Sequence, residues 1–255
     1  EILICDSFRK YNKKKLKINK KNFKVKYINI TKNNLSAKRN HGINKSKYNN
    51  IILIDDDCIP KKKFILDYLN DFKKIDDKTI LSGIVDYPKS YILNYNHIKY
   101  RDQRHFKKDK YFSNNILPDK IVAMNMAFRK SKKISSLGYF NEKFTGYGFE
   151  DHEFANRCYK NGFRFLRSKA SIVHDEGLPS IHRYSKKYYH LARDGMSNLL
   201  KIDESLAKST IYGQIENNFF IKALFFIPHV YSLILGFEKL IIKTDKIKNF
   251  KFLFL

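Results

Sequence analysis

Short apolar runs that end in acids set the pattern of the first half of the chain. Ile2-Leu3-Ile4-Cys5 runs into Asp6, and Ile51-Ile52-Leu53-Ile54 runs into Asp55-Asp56-Asp57 before Cys58-Ile59-Pro60. Continuous aliphatic runs of this length predict buried strands, and the proline ends the second one. A Lys- and Asn-rich polar connection over 9–26 leads to a short strand at 24–30, and Leu35, Ala37 and Ile43 have the spacing of a helix feeding the strand at 51–55. Apolar positions 64, 65, 68, 69 and 72 predict a second helix, and 80–85 a further strand. A helix over 94–106 and a polar loop follow, and residues 121–129 return the chain to the sheet. Glu150-Asp151-His152-Glu153 then opens a helix that Gly162 closes, and two short extended pieces lie at 163–165 and 170–173. Strands alternating with helices predict an α/β fold with a mostly parallel sheet and helices on both faces over residues 1–180.

Beyond Pro179 the pattern changes. Residues 182–201 predict a basic, tyrosine-rich helix, and 219–242 is strongly apolar. Lys222 and Glu238 leave 15 uncharged residues between them, which is short for a membrane span. Residues 181–255 are therefore expected to form a basic, apolar helical extension. The lysines and phenylalanines of its tail point to docking on an anionic membrane surface, with packing back onto the domain as the alternative.

The 255 residues carry 51 Lys and Arg against 25 Asp and Glu, a net charge of +26, which favours an anionic partner. Residues 1–50 hold 15 of the basic residues, but elsewhere they are interspersed with Asn, Ile and Tyr. No nucleic-acid-binding motif accompanies the charge, so nucleic acid is not the expected partner. Cys5, Cys58 and Cys158 are odd in number and far apart, which argues against a disulfide framework or a zinc site and for a reducing, cytoplasmic setting.

Acids at the carboxyl ends of strands in an open α/β sheet lie where ligands bind. Three adjacent carboxylates repel unless they are solvated, separately hydrogen-bonded or bridged by a cation. On an extended backbone Asp55 and Asp57 point to one side and Asp56 away, so Asp56 is the bystander of the cluster. Hard carboxylate oxygens favour Mg2+ or Mn2+, ions that bridge a protein acid to a diphosphate, and His174 at the end of another strand could add a nitrogen ligand that tilts preference to Mn2+. Glu150 and Asp151 at a helix start are sufficiently explained as acids that cap exposed amides and complement the dipole, with a general base beside a glycine loop as the functional alternative. Lys38 and Arg39 could hold a phosphate or lie on a solvated face.

Leu35-Ser36-Ala37-Lys38-Arg39-Asn40-His41-Gly42-Ile43 followed by residues 51–60 resembles the family 2 glycosyltransferases of the GT-A fold. Gly146-Tyr147-Gly148-Phe149-Glu150-Asp151, with Glu153, Arg157 and Gly162, is similar to the acceptor-side motif of that group and of the galactosyltransferase-like module found in bacterial chondroitin-type polymerases. The resemblance covers about residues 1–178. It implies an inverting transfer of a sugar from a nucleotide donor, most simply a UDP-sugar, to a saccharide or lipid-linked saccharide in surface glycan synthesis. By the same resemblance Asp55 and Asp57 form the DxD pair, Asp57 and His174 hold the metal, Asp6 contacts the nucleoside, Arg39 and the Asp56-containing cluster lie by the donor, Asp151 is the base and Glu150 binds the acceptor. Two departures accompany it. A strand that opens the family pattern has no counterpart before Glu1–Ser7, so the expectation is a truncated donor pocket, with an inactive relic of the fold as the alternative. Ala123-Met124-Asn125 also stands where relatives carry glycine before the Asn.

Overall fold

Alternate side chains of the central strands enter two different layers. In the computed structural model, which describes residues 1–7, 24–105, 116–224, 227 and 230–247 (Tyr231 as backbone only), the strands are β1 (Ile2–Asp6), β2 (Val25–Asn29), β3 (Asn50–Ile54), β4 (Cys58–Pro60), β5 (Thr79–Asp86), β6 (Asn125–Arg129) and β7 (Arg164–His174). Ile51, Ile80, Met126, Phe128 and Phe165 face one layer, and Ile52, Leu81, Ala127 and Ile172 face the other. The period-2 pleat makes this division, and burial on both faces explains why the strands read as continuous apolar runs.

The first layer is covered by Ile43 of helix α1 (Leu35–Lys45) and by Phe154, Ala155 and Cys158 of a later helix over 150–160. The second is covered by Phe64, Tyr68 and Phe72 of α2 (Phe64–Phe72), with α3 (Lys89–Asn94) and α4 (Asn96–Arg104) beside it. Next in the chain come α5 (Lys132–Leu137) and α6 (Glu150–Lys160), the helix just mentioned. The extension then adds α7 (Ile181–His190), α8 (Met196–Ile202), α9 (Glu204–Lys208), α10 (Ile211–Asn217), α11 (Phe219–Leu224) and α12 (Val230–Thr244). The α/β architecture and both covering layers match the expectation.

Two sheets form. β1 and β2 pair in parallel, and the larger sheet has the order β3-β6-β5-β7-β4. It is mixed: β5 and β7 pair in parallel, while β6 runs antiparallel to both β3 and β5, and β4 antiparallel to β7. β3, β5 and β7 therefore point the same way, and their carboxyl ends share one edge of the sheet. Asp55, Tyr87 and His174 emerge there.

Several local expectations are corrected. Residues 121–124 are not strand, and β6 begins only at Asn125. The pieces at 163–165 and 170–173 are a single 11-residue strand, β7, because the polar Arg167–Lys169 stretch is absorbed where its register with β5 shifts between Ser82 and Ile84. Gly83 sits at that shift, where a Cβ would stand 2.2 Å from Asn125 Nδ2 and 2.5 Å from the Ala170 carbonyl. Asn125 in turn donates to the carbonyls of Ile84 and Ala170 and accepts from the Tyr68 hydroxyl at 2.6 Å, so the Asn that follows the departure from the family pattern stitches three strands together. The helix predicted over 182–201 is broken by a π-helical turn at Leu191–Gly195. The polar connection over residues 9–23, the loop at 106–115 and the tail from 248 lie outside the described residues.

Candidate active site

Asp55, Asp56 and Asp57 do not continue β3 as an extended backbone. The chain turns here, with the Cys58 amide donating to the Asp55 carbonyl at 3.2 Å, and re-enters the sheet as β4. The turn relieves three neighbouring like charges by aiming them differently. Asp56 is exposed, as the bystander reading expected, while Asp55 and Asp57 each face a partner.

The partner of Asp57 follows from strand register. β4 runs antiparallel to β7 with Cys58 opposite His174, and the Asp175 amide donates to the Asp57 carbonyl at 2.8 Å. Asp57 Oδ2 and His174 Nε2 thereby stand 3.0 Å apart although 117 positions separate them in sequence. The hydrogen bond from His174 is the main cause holding the Asp57 carboxyl below its ordinary range, against the upward pull of burial. His174 is buried, and its Nδ1 faces the Tyr87 hydroxyl at 3.5 Å.

Asp55 meets a different residue. Arg39 of α1, with its side chain only 12% exposed, reaches Asp55 Oδ1 at 3.3 Å with one nitrogen and Glu150 Oε1 at 2.6 Å with the other. The guanidinium also lies over the Phe140 ring at 5.2 Å. α1 is held in place by its N-cap: Asn34 accepts from the Ala37 amide and donates to the carbonyls of Glu142 and Phe144. Burial pushes the Asp55 carboxyl up despite Arg39. Burial, followed by the charge of Asp151, also raises Glu150, whose second oxygen is buried without a hydrogen-bond partner among the described residues.

Glu150 and Asp151 open α6 behind Phe149, whose φ of 68° is the one positive value among the described non-glycine residues. A bulky residue in the left-handed region is strained, and such strain concentrates at functional sites. Asp151 accepts from the His152 amide at 2.9 Å and stands 3.4 Å from the Ala123 amide, so it does part of a helix-terminus acid's work while its charge reaches Arg39 and Asp55. Glu153 and Arg157 are structural: they bind each other, and Arg157 gathers the carbonyls of Leu137, Gly138 and Tyr139. The glycines at 146 and 148 let the preceding loop seat on the π-helical turn, since a Cβ on Gly148 would stand 2.2 Å from Leu191.

Asp6 stands apart from this cluster. It caps β1, accepting from the Tyr27 hydroxyl at 2.6 Å, and Lys38 lies 4.0 Å away. Its link to the cluster is α1, where Lys38 and Arg39 are adjacent.

A further group was not anticipated from the sequence. Glu176 accepts from Arg101 at 2.7 Å and from Lys187 at 3.0 Å, and lies 3.5 Å from His174 Nε2. Burial works upward on Glu176, but the two cations outweigh it and bring the carboxyl down to about 2. Tyr87 contacts His105 at 3.3 Å as well as His174, and burial lowers His105 to about 4. The acid after Asp175 and the basic positions on α4 and α7 were visible in the sequence, but nothing in their spacing joined them.

Arg39, Asp55 and Glu150 thus form one bonded group and Asp57 with His174 another, at the shared carboxyl edge of β3 and β7 and the start of α6. Residues 2–134 match the family model described as glycosyl transferase family 2, and the chain belongs to that family. Residues 108–191 match a second model, described as the N-terminal domain of galactosyltransferase, so that Asp55–Asp57 falls within the first match and Glu150, Asp151 and His174 within the second. The chain is also 25% identical over 178 residues to the chondroitin synthase of Escherichia coli, an alignment that covers 57% of this chain and 25% of that protein. It spans about a quarter of the length of this curated relative.

Proposed function

We propose that the chain is a metal-dependent inverting glycosyltransferase that moves a hexosyl or N-acetylhexosaminyl group from a nucleotide-sugar, a UDP-sugar in the simplest case, to a saccharide or lipid-linked acceptor in surface polysaccharide synthesis. The observation that carries this reading is the 3.0 Å approach of Asp57 to His174 beside the Asp55–Arg39–Glu150 group. Two donors about 2.1 Å from one ion and at a right angle stand about 3.0 Å apart, so the spacing suits a shared divalent cation. Asp57, Cys58 and His174 offer donor atoms within 4.8 Å of one another, and the carboxylate and imidazole suit Mn2+ or Mg2+. When bound, the cation supplies charge compensation for the departing diphosphate.

The chain's own residues divide the remaining work. Asp151 takes the proton from the acceptor hydroxyl as that oxygen attacks the anomeric carbon from the face opposite the leaving group. Glu150 binds the acceptor through its second oxygen, which has no partner among the described residues and can accept from a sugar hydroxyl. Arg39 keeps Glu150 and Asp55 in register, and Asp6 contacts the nucleoside.

Peripheral membrane contact belongs to the same reading. Phe219 and Phe220 are 78% and 80% exposed, and Leu224, Ile227, Leu233, Ile234, Phe237 and Leu240 are exposed as well, with Lys222, Lys239 and Lys243 among them. No helix among the described residues is long and apolar enough to cross a membrane. A basic helix with large exposed apolar residues suits the interface plane of an anionic bilayer. His97 anchors it to the domain through Asp245, Nδ1 to Oδ2 at 2.7 Å, and Ser185 of α7 bonds Glu238.

The test is release of nucleoside diphosphate from a panel of nucleotide-sugars with Mn2+. Asp57→Asn is expected to abolish metal-dependent donor binding, and Asp151→Asn to keep binding while lowering kcat by about 10²- to 10⁴-fold. Full activity in both variants refutes the assignment.

A further inference from the structure

The helical extension reaches the candidate metal centre. Lys187 of α7 and Arg101 of α4 meet on one atom, Glu176 Oε1, and the His174 nitrogen that faces Asp57 lies 3.5 Å from that same oxygen. Two cations therefore share one carboxylate oxygen at the edge of the site.

Their surroundings hold them there. The Arg101 guanidinium lies over the rings of Tyr87 and Tyr184, at 5.1 and 5.0 Å from their centroids, and its side chain is only 11% exposed. Contact with two aromatic rings restrains the fork and leaves its N–H edges for hydrogen bonding. One edge serves Glu176. Nη1 is buried with no hydrogen-bond partner among the described residues. A buried charged donor without an acceptor is unfavourable and rare, which points to a ligand that completes it. Lys187 is half-exposed and can follow such a ligand. One carboxylate supplies a single negative charge to two cations, whereas an anion with several charged oxygens could satisfy both together with Nη1.

Resting on the glycosyl-transfer reading above, we propose that Arg101 and Lys187 clamp the diphosphate of the nucleotide donor, and that Glu176 is an internal anion holding both cations ready until the diphosphate displaces it. The extension then supplies part of the donor site, and Lys187 is a binding residue of the transferase.

Calorimetric titration of the full chain in Mn2+ with UDP, and separately with inorganic pyrophosphate, tests this. Lys187→Ala is expected to weaken both ligands by about tenfold, with Lys187→Arg restoring most of the loss. Glu176→Gln removes the competing anion and is expected to tighten both several-fold, a gain that disappears when Lys187→Ala is added. Unchanged binding in Lys187→Ala, or weaker pyrophosphate binding in Glu176→Gln, overturns the clamp while leaving the transferase reading intact. Failure of the unaltered chain to bind either ligand overturns both.

Discussion

Arg39 offers the sharpest test of how the site is held together. Its guanidinium bridges Glu150, 2.6 Å away and 7% exposed, and Asp55, 3.3 Å away and 37% exposed. Arg39→Met keeps much of the volume and removes the charge, stranding a buried carboxylate whose other oxygen has no partner among the described residues. Breaking a buried ion pair from one side costs about 3–5 kcal/mol, and the half-exposed Asp55 arm adds no more than about 1 kcal/mol. Against a typical domain stability of about 5–15 kcal/mol this is a large fraction. Two features separate this electrostatic explanation from lost packing. Burial already raises Glu150 above its ordinary value and Arg39 opposes that rise, so removing Arg39 raises it further. A carboxyl whose folded-state pKa lies above its unfolded value destabilises the fold as pH rises through that interval, so the penalty of Arg39→Met is expected to be larger at pH 8 than at pH 5. Glu150→Gln should also recover about 2 kcal/mol of the loss in a double-mutant cycle. Urea unfolding of the four proteins at both pH values gives the numbers. A penalty below about 1 kcal/mol, or one that neither pH nor Glu150→Gln changes, refutes the buried-charge account.

Glu176 acts in the opposite sense. Its carboxyl is lowered from 4.5 to about 2, so its contribution is present above pH 4.5 and lost as pH falls toward 2, amounting to about 3 kcal/mol. The destabilisation caused by Glu176→Gln should therefore be clear in urea unfolding at pH 6 and fall to about a quarter of that by pH 2.5; a pH-independent difference would count against the ion pairs. Replacing the two outermost phenylalanines, Phe219→Ser with Phe220→Ser, should abolish cosedimentation with anionic vesicles without changing thermal stability, since both side chains are almost fully exposed. Undiminished vesicle binding would remove α11 from the membrane contact.

The sequence by itself determined most of the elements, because their causes are local. Aliphatic runs produced β1, β3 and β5, the spacing at residues 64–72 produced α2 with the bounds observed, and Glu150 and Gly162 marked the two ends of α6. The motifs resembling family 2 glycosyltransferases, and the family itself, were legible for the same reason: they are contiguous strings. What the tertiary structure decided was direction and adjacency. Nothing local dictates that β6 should enter the sheet antiparallel between β3 and β5, or that a register shift opposite Gly83 should fuse two apparent strands into β7. The turn at Asp55–Asp57 depends on β4, a three-residue strand whose pairing with β7 is non-local, and that pairing is what sets Asp57 against His174. Arg39 read as a surface residue or a phosphate ligand until packing of α1 against the loop at 140–144 buried it between Asp55 and Glu150. Glu176, Arg101 and Lys187 come from three separate segments, and their shared oxygen exists only because helices α4 and α7 converge on the end of β7. Propensity and patterning act over a few residues and write elements into a sequence, whereas charge pairing acts through space and appears only once the chain has closed.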